Sequence, residues 1–117
     1  MRCVVGEIFD VAVDLRRSSA TFGQWGGALL SRTNQQQLWI PAGFGHGFLT
    51  LSAQAEVLYK ASAFWNRDCE RSLRWDDPAV AIDWPLQALQ GKRPLLSDKD
   101  AAAPSLAAVL DQSGMFA

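Results

Sequence analysis

The stretch Leu38-Trp39-Ile40-Pro41-Ala42-Gly43-Phe44-Gly45-His46-Gly47-Phe48 decides how the rest of the chain is read. It has the form of a strand, a proline–glycine turn and a second strand. His46, the only histidine in the chain, opens that second strand. Gly43, Gly45 and Gly47 remove side chains at alternate positions around it. That pattern suits close approach of the backbone to a neighbouring strand or to a bound ligand. Tyr59, the only tyrosine, follows on the next expected strand, residues 55–64. A histidine and a phenol on adjacent strands can both point into one concave sheet.

Outward from this stretch the chain is a succession of short strands. Residues 4–15 alternate, with Val5, Phe9, Val11, Val13 and Leu15 on one face and Asp10, Ala12 and Asp14 on the other. Period two with β-branched residues predicts a strand. It starts almost at Met1, without a lead-in. A polar loop over 16–21 leads to a second strand region at 22–30, loosened by glycines. Residues 35–40 read as a third strand ended by Pro41, 48–51 as a fourth, 55–64 as a fifth and 71–75 as a sixth. Asp76-Asp77-Pro78 is a turn signal, and 81–85 is a short extended piece. Residues 86–94 read as a loop. Leu106, Val109 and Leu110 have helical spacing after Pro104, with Gly114 as the stop. Many short strands separated by turns indicate an all-β, antiparallel sandwich or barrel.

Composition narrows the classes. The chain has 117 residues, one domain at most. Net charge is −1 and Lys and Arg form no block, which argues against a nucleic-acid partner. No apolar run approaches a membrane span, and the N-terminus has no signal-peptide architecture. Cys3 and Cys69 are too few for a disulfide framework and read as reduced thiols in a cytoplasmic protein. One histidine and two cysteines, without His-x-His or Cys-x-x-Cys, make a metal site improbable.

A set of motifs then occurs in one order: Gly6-Glu7-Ile8-Phe9-Asp10-Val11-Ala12-Val13-Asp14, Thr21-Phe22-Gly23-Gln24-Trp25, Gln37-Leu38-Trp39-Ile40-Pro41, Gly43-Phe44, His46-Gly47-Phe48, Leu58-Tyr59-Lys60, Trp75-Asp76-Asp77-Pro78, Ile82-Asp83-Trp84-Pro85 and Leu96-Ser97-Asp98-Lys99-Asp100. Together they resemble the dTDP-4-dehydrorhamnose 3,5-epimerase family, from about residue 2 to residue 106. The resemblance implies a cupin-like jelly roll with a short C-terminal helix. It implies an isomerase that inverts C3 and C5 of a dTDP-4-keto sugar in dTDP-L-rhamnose synthesis, with no cofactor, as a homodimer. It covers the C-terminal part of such an enzyme. The family's catalytic base lies in an earlier segment of the type Leu-Arg-Gly-Leu-His, and a lysine at the keto oxygen lies there too. Neither has a counterpart here, so the expectation is a jelly roll incomplete at its N-terminus, with little activity alone and a tendency to self-associate through exposed strand edges.

The resemblance also assigns roles. Tyr59 matches the acid that returns a proton; a phenol with a pKa near ~10 is protonated at neutral pH and can donate. Asp100 matches the aspartate that orients the base histidine. His46, Glu70 and Lys99 match substrate-binding positions, and Asp10 is a candidate supporting carboxylate. Trp65 stands where family members often carry an aromatic residue that stacks on the base or sugar. Read by themselves, without the resemblance, Tyr59 is a packed tyrosine and His46 a structural histidine, Asp100 is as well a helix N-terminal carboxylate, Lys99 and Glu70 are surface charges, and Trp65 is a packing residue. The alternative function is a non-catalytic remnant that binds a nucleotide sugar or pairs with a complete homologue.

Overall fold

The alternation predicted over 4–15 is broken once, at Gly6. There φ is +78°, and an added Cβ would lie 2.1 Å from the carbonyl oxygen of Gln54. Only glycine fits both the backbone conformation and the space. The break divides the stretch into β1, Arg2–Val5, and β2, Glu7–Asp14. They enter different sheets. The computed structural model describes residues 1–111. In it β2 is the middle strand of a three-stranded sheet, with β3 (Trp25–Ser31) on one side and β4 (Phe44–Thr50) on the other. The remaining strand β5 (Glu56–Leu58) pairs with β1. All these pairings are antiparallel.

The expectation that Tyr59 lies on a strand adjacent to that of His46 is therefore corrected. His46 is in β4, while Tyr59 follows β5 in the other sheet. The fifth strand is also shorter than 55–64. Residues 71–75 form no strand; Arg74 N–H bonds Pro104 O instead of a ladder partner. Residues 35–40 contribute only the bridge between Gln37 and Arg2. Residues 81–85 form no strand either, and 86–94 includes a short 3-10 turn over Leu86–Leu89. An extended segment becomes a strand only where its N–H and C=O groups meet a partner, and local pattern does not supply that partner.

Both faces of β2 are covered. Val11, Val13 and Leu15 pack with Val80 and Leu106, joined by Phe9, Trp25, Leu73, Ile82 and Trp84. On the opposite face Ile8, Leu30 and Cys3 pack against Val57 and Ala55 at the β1–β5 sheet. Each aliphatic side chain so buried contributes about 1.5–3 kcal/mol. Asp10 and Asp14, which alternation puts on this second face, are buried with it. Two short helices follow: α1 (Asp98–Ala101), capped by Ser97 Oγ on the N–H of Asp100 at 3.1 Å, and α2 (Leu106–Asp111). The second agrees with the helical spacing after Pro104; Gly114, its expected stop, lies outside the described residues.

Candidate active site

β4 forms one wall of a cavity of about 350 Å³. Residues 71–75 and the Ile82–Trp84 segment form another, and Leu96, Lys99 and Asp100 close a third side. The glycines around His46 have different roles here. Gly43 takes φ +86° in the turn before β4. A Cβ at Gly45 would lie 2.9 Å from Leu15 Cδ1, so a neighbouring side chain fills that place. At Gly47 an added Cβ would meet Trp84 at 3.8 Å, an ordinary van der Waals contact, so a small side chain would fit there without displacing it. Trp84 is fixed by its indole N–H, which donates to Trp75 O at 2.7 Å, and by an edge contact with Phe9.

His46 pairs across the sheet with Ala12, which places Asp10 diagonally beside it on the same face. Its Nε2 lies 2.5 Å from Asp10 Oδ1. The Asp10 side chain is fully buried, whereas that of His46 is 28% exposed. The other carboxylate oxygen, Oδ2, has no hydrogen-bond partner among the described residues. A buried carboxylate beside one ring nitrogen fixes the ring's orientation and favours the proton on that nitrogen. Nδ1 is then the nitrogen left for a ligand. In sequence, the signal for this pair is a carboxylate inside an otherwise apolar strand.

Lys99 Nζ donates to Glu70 Oε1, bringing two more of the expected residues together. The Lys99 ammonium holds the Glu70 carboxyl below its usual range, and a hydrogen bond from the Trp65 side chain acts in the same direction. Asp100 lines the cavity beside Lys99. Tyr59 does not line it and is 72% exposed; Trp65 is exposed too. Sequence reasoning missed the wall at 71–75 and Trp84, read only as structure. It also missed Arg16, which carries its guanidinium 4.9 Å over the ring of Phe44 at the cavity wall.

The arrangement defines a β-sandwich protein with one polar-and-apolar cavity built on a histidine–carboxylate pair, beside a lysine–glutamate pair. The chain belongs to the dTDP-4-dehydrorhamnose 3,5-epimerase family, whose model matches residues 1–108. The dTDP-4-dehydrorhamnose 3,5-epimerase of Salmonella typhimurium is 57% identical over 106 residues, 91% of this chain and 56% of the relative. That of Pseudomonas aeruginosa is 58% identical over 100 residues, 86% of this chain and 53% of the relative. The chain thus spans about half the length of the curated relatives it matches. Among solved structures, the rmlC epimerase of Mycobacterium tuberculosis superposes with a TM-score of 0.94 at 41% identity, covering 98% of this chain and 56% of that one. RmlC of Legionella pneumophila, solved in complex with dTDP-4-keto-L-rhamnose, gives 0.88 at 47% identity, covering 98% and 58%. The two sheets are those of a cupin-like jelly roll. Among the described residues no helix is long and apolar enough to cross a membrane.

Proposed function

We propose that this chain carries the nucleotide-sugar site of a 3,5-epimerase acting on dTDP-4-dehydro-6-deoxy-D-glucose. The observation that carries the reading is one cavity lined by His46, Lys99 and Asp100, with Asp10 behind the histidine and Glu70 on the lysine. The chemistry fits those groups. The C–H beside a ketone is weakly acidic, a base removes the proton on one face, and an acid returns one on the other. Charge moves to the sugar oxygen O4 and needs a positioned donor. In this reading His46 contacts the sugar, Lys99 and Glu70 hold the nucleotide sugar, Asp100 orients a base imidazole, and Tyr59 returns the proton.

A second reading applies to the chain by itself. Tyr59 is outside the cavity, and His46, the only imidazole of the chain, is tied to Asp10. Both observations favour binding of a nucleotide sugar without turnover. Calorimetric titration with dTDP, followed by incubation of the keto sugar in D₂O, separates the two. Binding is expected, and Lys99→Ala is expected to weaken it about tenfold, or about 1.4 kcal/mol. Deuterium at C3 and C5 above the uncatalysed rate gives the chain the epimerase chemistry. Binding without exchange gives it the second role, and no binding removes both.

A further inference from the structure

The epimerase chemistry makes no use of the side-chain cluster at Asp14. Asp14 is buried at the end of β2, and Arg16 donates to its two oxygens in parallel, from Nε at 2.9 Å and from a terminal nitrogen at 2.9 Å. Ser19 and Thr21 hydroxyls donate to the same carboxylate and keep it from turning. Two parallel bonds fix the plane of a guanidinium as well as its position. The Arg16 side chain is 40% exposed, yet its anchor is only 1% exposed. The guanidinium carbon lies 4.9 Å from the centroid of the Phe44 ring. A cation over an aromatic face is attracted by the ring quadrupole, so the anchored group holds the ring in turn.

That ring belongs to the cavity. Phe44 faces Asp14 across the ladder, His46 faces Ala12 and Phe48 faces Asp10. Alternate residues of a strand share a face, so Phe44, His46 and Phe48 form one row on β4. All three line the cavity. The His46 ring has Phe48 on one side, with centroids 6.2 Å apart. Phe44 is its neighbour on the other side and opens β4 directly after the turn at Gly43. No residue of β4 precedes Phe44 in the row, and Arg16 supplies the contact at that end.

We propose that Arg16 is a positioning residue of the cavity: anchored on Asp14, it holds the Phe44 ring in place beside His46 and so fixes the wall that a ligand meets there. The competing role is local, with Arg16 doing no more than neutralise the buried Asp14 carboxylate. Arg16→Lys separates the two. A lysine keeps the positive charge beside Asp14 but offers a point charge on a flexible stem in place of a planar fork. Phe44→Leu removes the ring from the other side and leaves the bonds to Asp14 intact. The affinity part of this proposal rests on the nucleotide-sugar reading; the part that concerns His46 does not.

His46 is the only histidine, so its imidazole C–H protons give an unambiguous NMR signal in the full 117-residue chain. Arg16→Lys and Phe44→Leu are each expected to move that signal. The indole signal of Trp25, which faces Val13 on the opposite face of β2, is expected to stay in place. In calorimetric titration with dTDP, Arg16→Lys is expected to bind about fivefold more weakly, the scale of one lost cation–ring contact. The double variant is expected to bind no more weakly than Phe44→Leu, because both losses act through one contact. A His46 signal that stays unmoved in either variant, or losses of affinity that add, would overturn the proposal. A lower melting temperature in Arg16→Lys, with the His46 signal and the affinity unchanged, would assign Arg16 to Asp14 alone and also overturn it. If the parent chain binds no dTDP, the nucleotide-sugar reading falls and the His46 signal alone decides: movement in both variants upholds the positioning role, and movement in one or neither ends it.

Discussion

Asp14 is as deeply buried as the valines beside it in β2, yet it sits among hydrogen-bond donors. Arg16 grips it from Nε at 2.9 Å and from a terminal nitrogen at 2.9 Å, and Arg16 N–H adds a third bond at 3.0 Å. Ser19 and Thr21 hydroxyls each donate at 2.5 Å. The Arg16 guanidinium, first among these causes, holds the Asp14 carboxyl far below the usual carboxylate range. In an unfolded chain an aspartate titrates near about 3.9. The folded protein thus binds fewer protons than the unfolded one below that pH. The contribution of Asp14 to stability is complete above about pH 4 and shrinks as the pH falls towards its folded value. Asp14→Asn is expected to lower the urea midpoint at pH 7 and to approach the parent below about pH 4. A difference that stays constant from neutral pH to acid would contradict this account.

At the scale of elements, one glycine and one buried carboxylate hold the sheets and the cavity walls in place. Gly6 sends the chain from one sheet to the other. Gly6→Ala combines a left-handed backbone, costing about 1–2 kcal/mol, with a collision against Gln54 O costing about 1–3 kcal/mol. Gly26 has no atom within 4 Å of an added Cβ, so Gly26→Ala is expected to change stability by less than about 0.5 kcal/mol. Chemical denaturation of the two variants checks the contrast, and equal losses would contradict it. The carboxylate is that of Asp77. Its Oδ1 accepts from Ala79 N–H at 2.8 Å, and its Oδ2 accepts from Leu106 N–H at 2.7 Å at the start of α2. It ties the turn between the two halves of the cavity wall to the first turn of α2. Asp77→Asn loses an acceptor at a buried N–H and is expected to cost about 1–3 kcal/mol. Exchange of the Leu106 amide should quicken; unchanged exchange there would sink the tether.

In the whole molecule β2 is the common wall of two apolar clusters. Trp25 and Trp84 pack on the cluster of Val11 and Leu106, whereas among the described residues no buried or half-buried tryptophan packs on the cluster of Leu30 and Cys3. Leu30→Ala opens a cavity in the second cluster and is expected to cost about 2–5 kcal/mol. If the two clusters melt as one unit, tryptophan emission reports that loss from the opposite face of the sheet. A separate transition, unseen by tryptophan, would mean that the layers unfold independently.

The antiparallel β class, the strand through Val11 and Val13, the short helix after Pro104 and the place of His46 beside a glycine turn were all readable from residue order. They rest on local periodicity and on the stereochemistry of proline and glycine, which neighbours in sequence determine. The ordered motifs likewise singled out His46, Lys99 and Asp100, which meet at one cavity. Partnership between strands was decided only in three dimensions. Residues 35–40 and 71–75 have the composition of strands but lack ladders, and β5 joins β1 rather than the strand of His46. Alternation puts Asp10 and Asp14 together on one face of the strand, but it shows only that the two faces differ, not whether that face is buried. Burial of both faces of β2 turns one of these carboxylates into the partner of His46 and the other into the anchor of Arg16. A charge enters such an interior only with its counter-group in place; for Asp10 that group lies on another strand, and for Asp14 it lies two residues further along the chain.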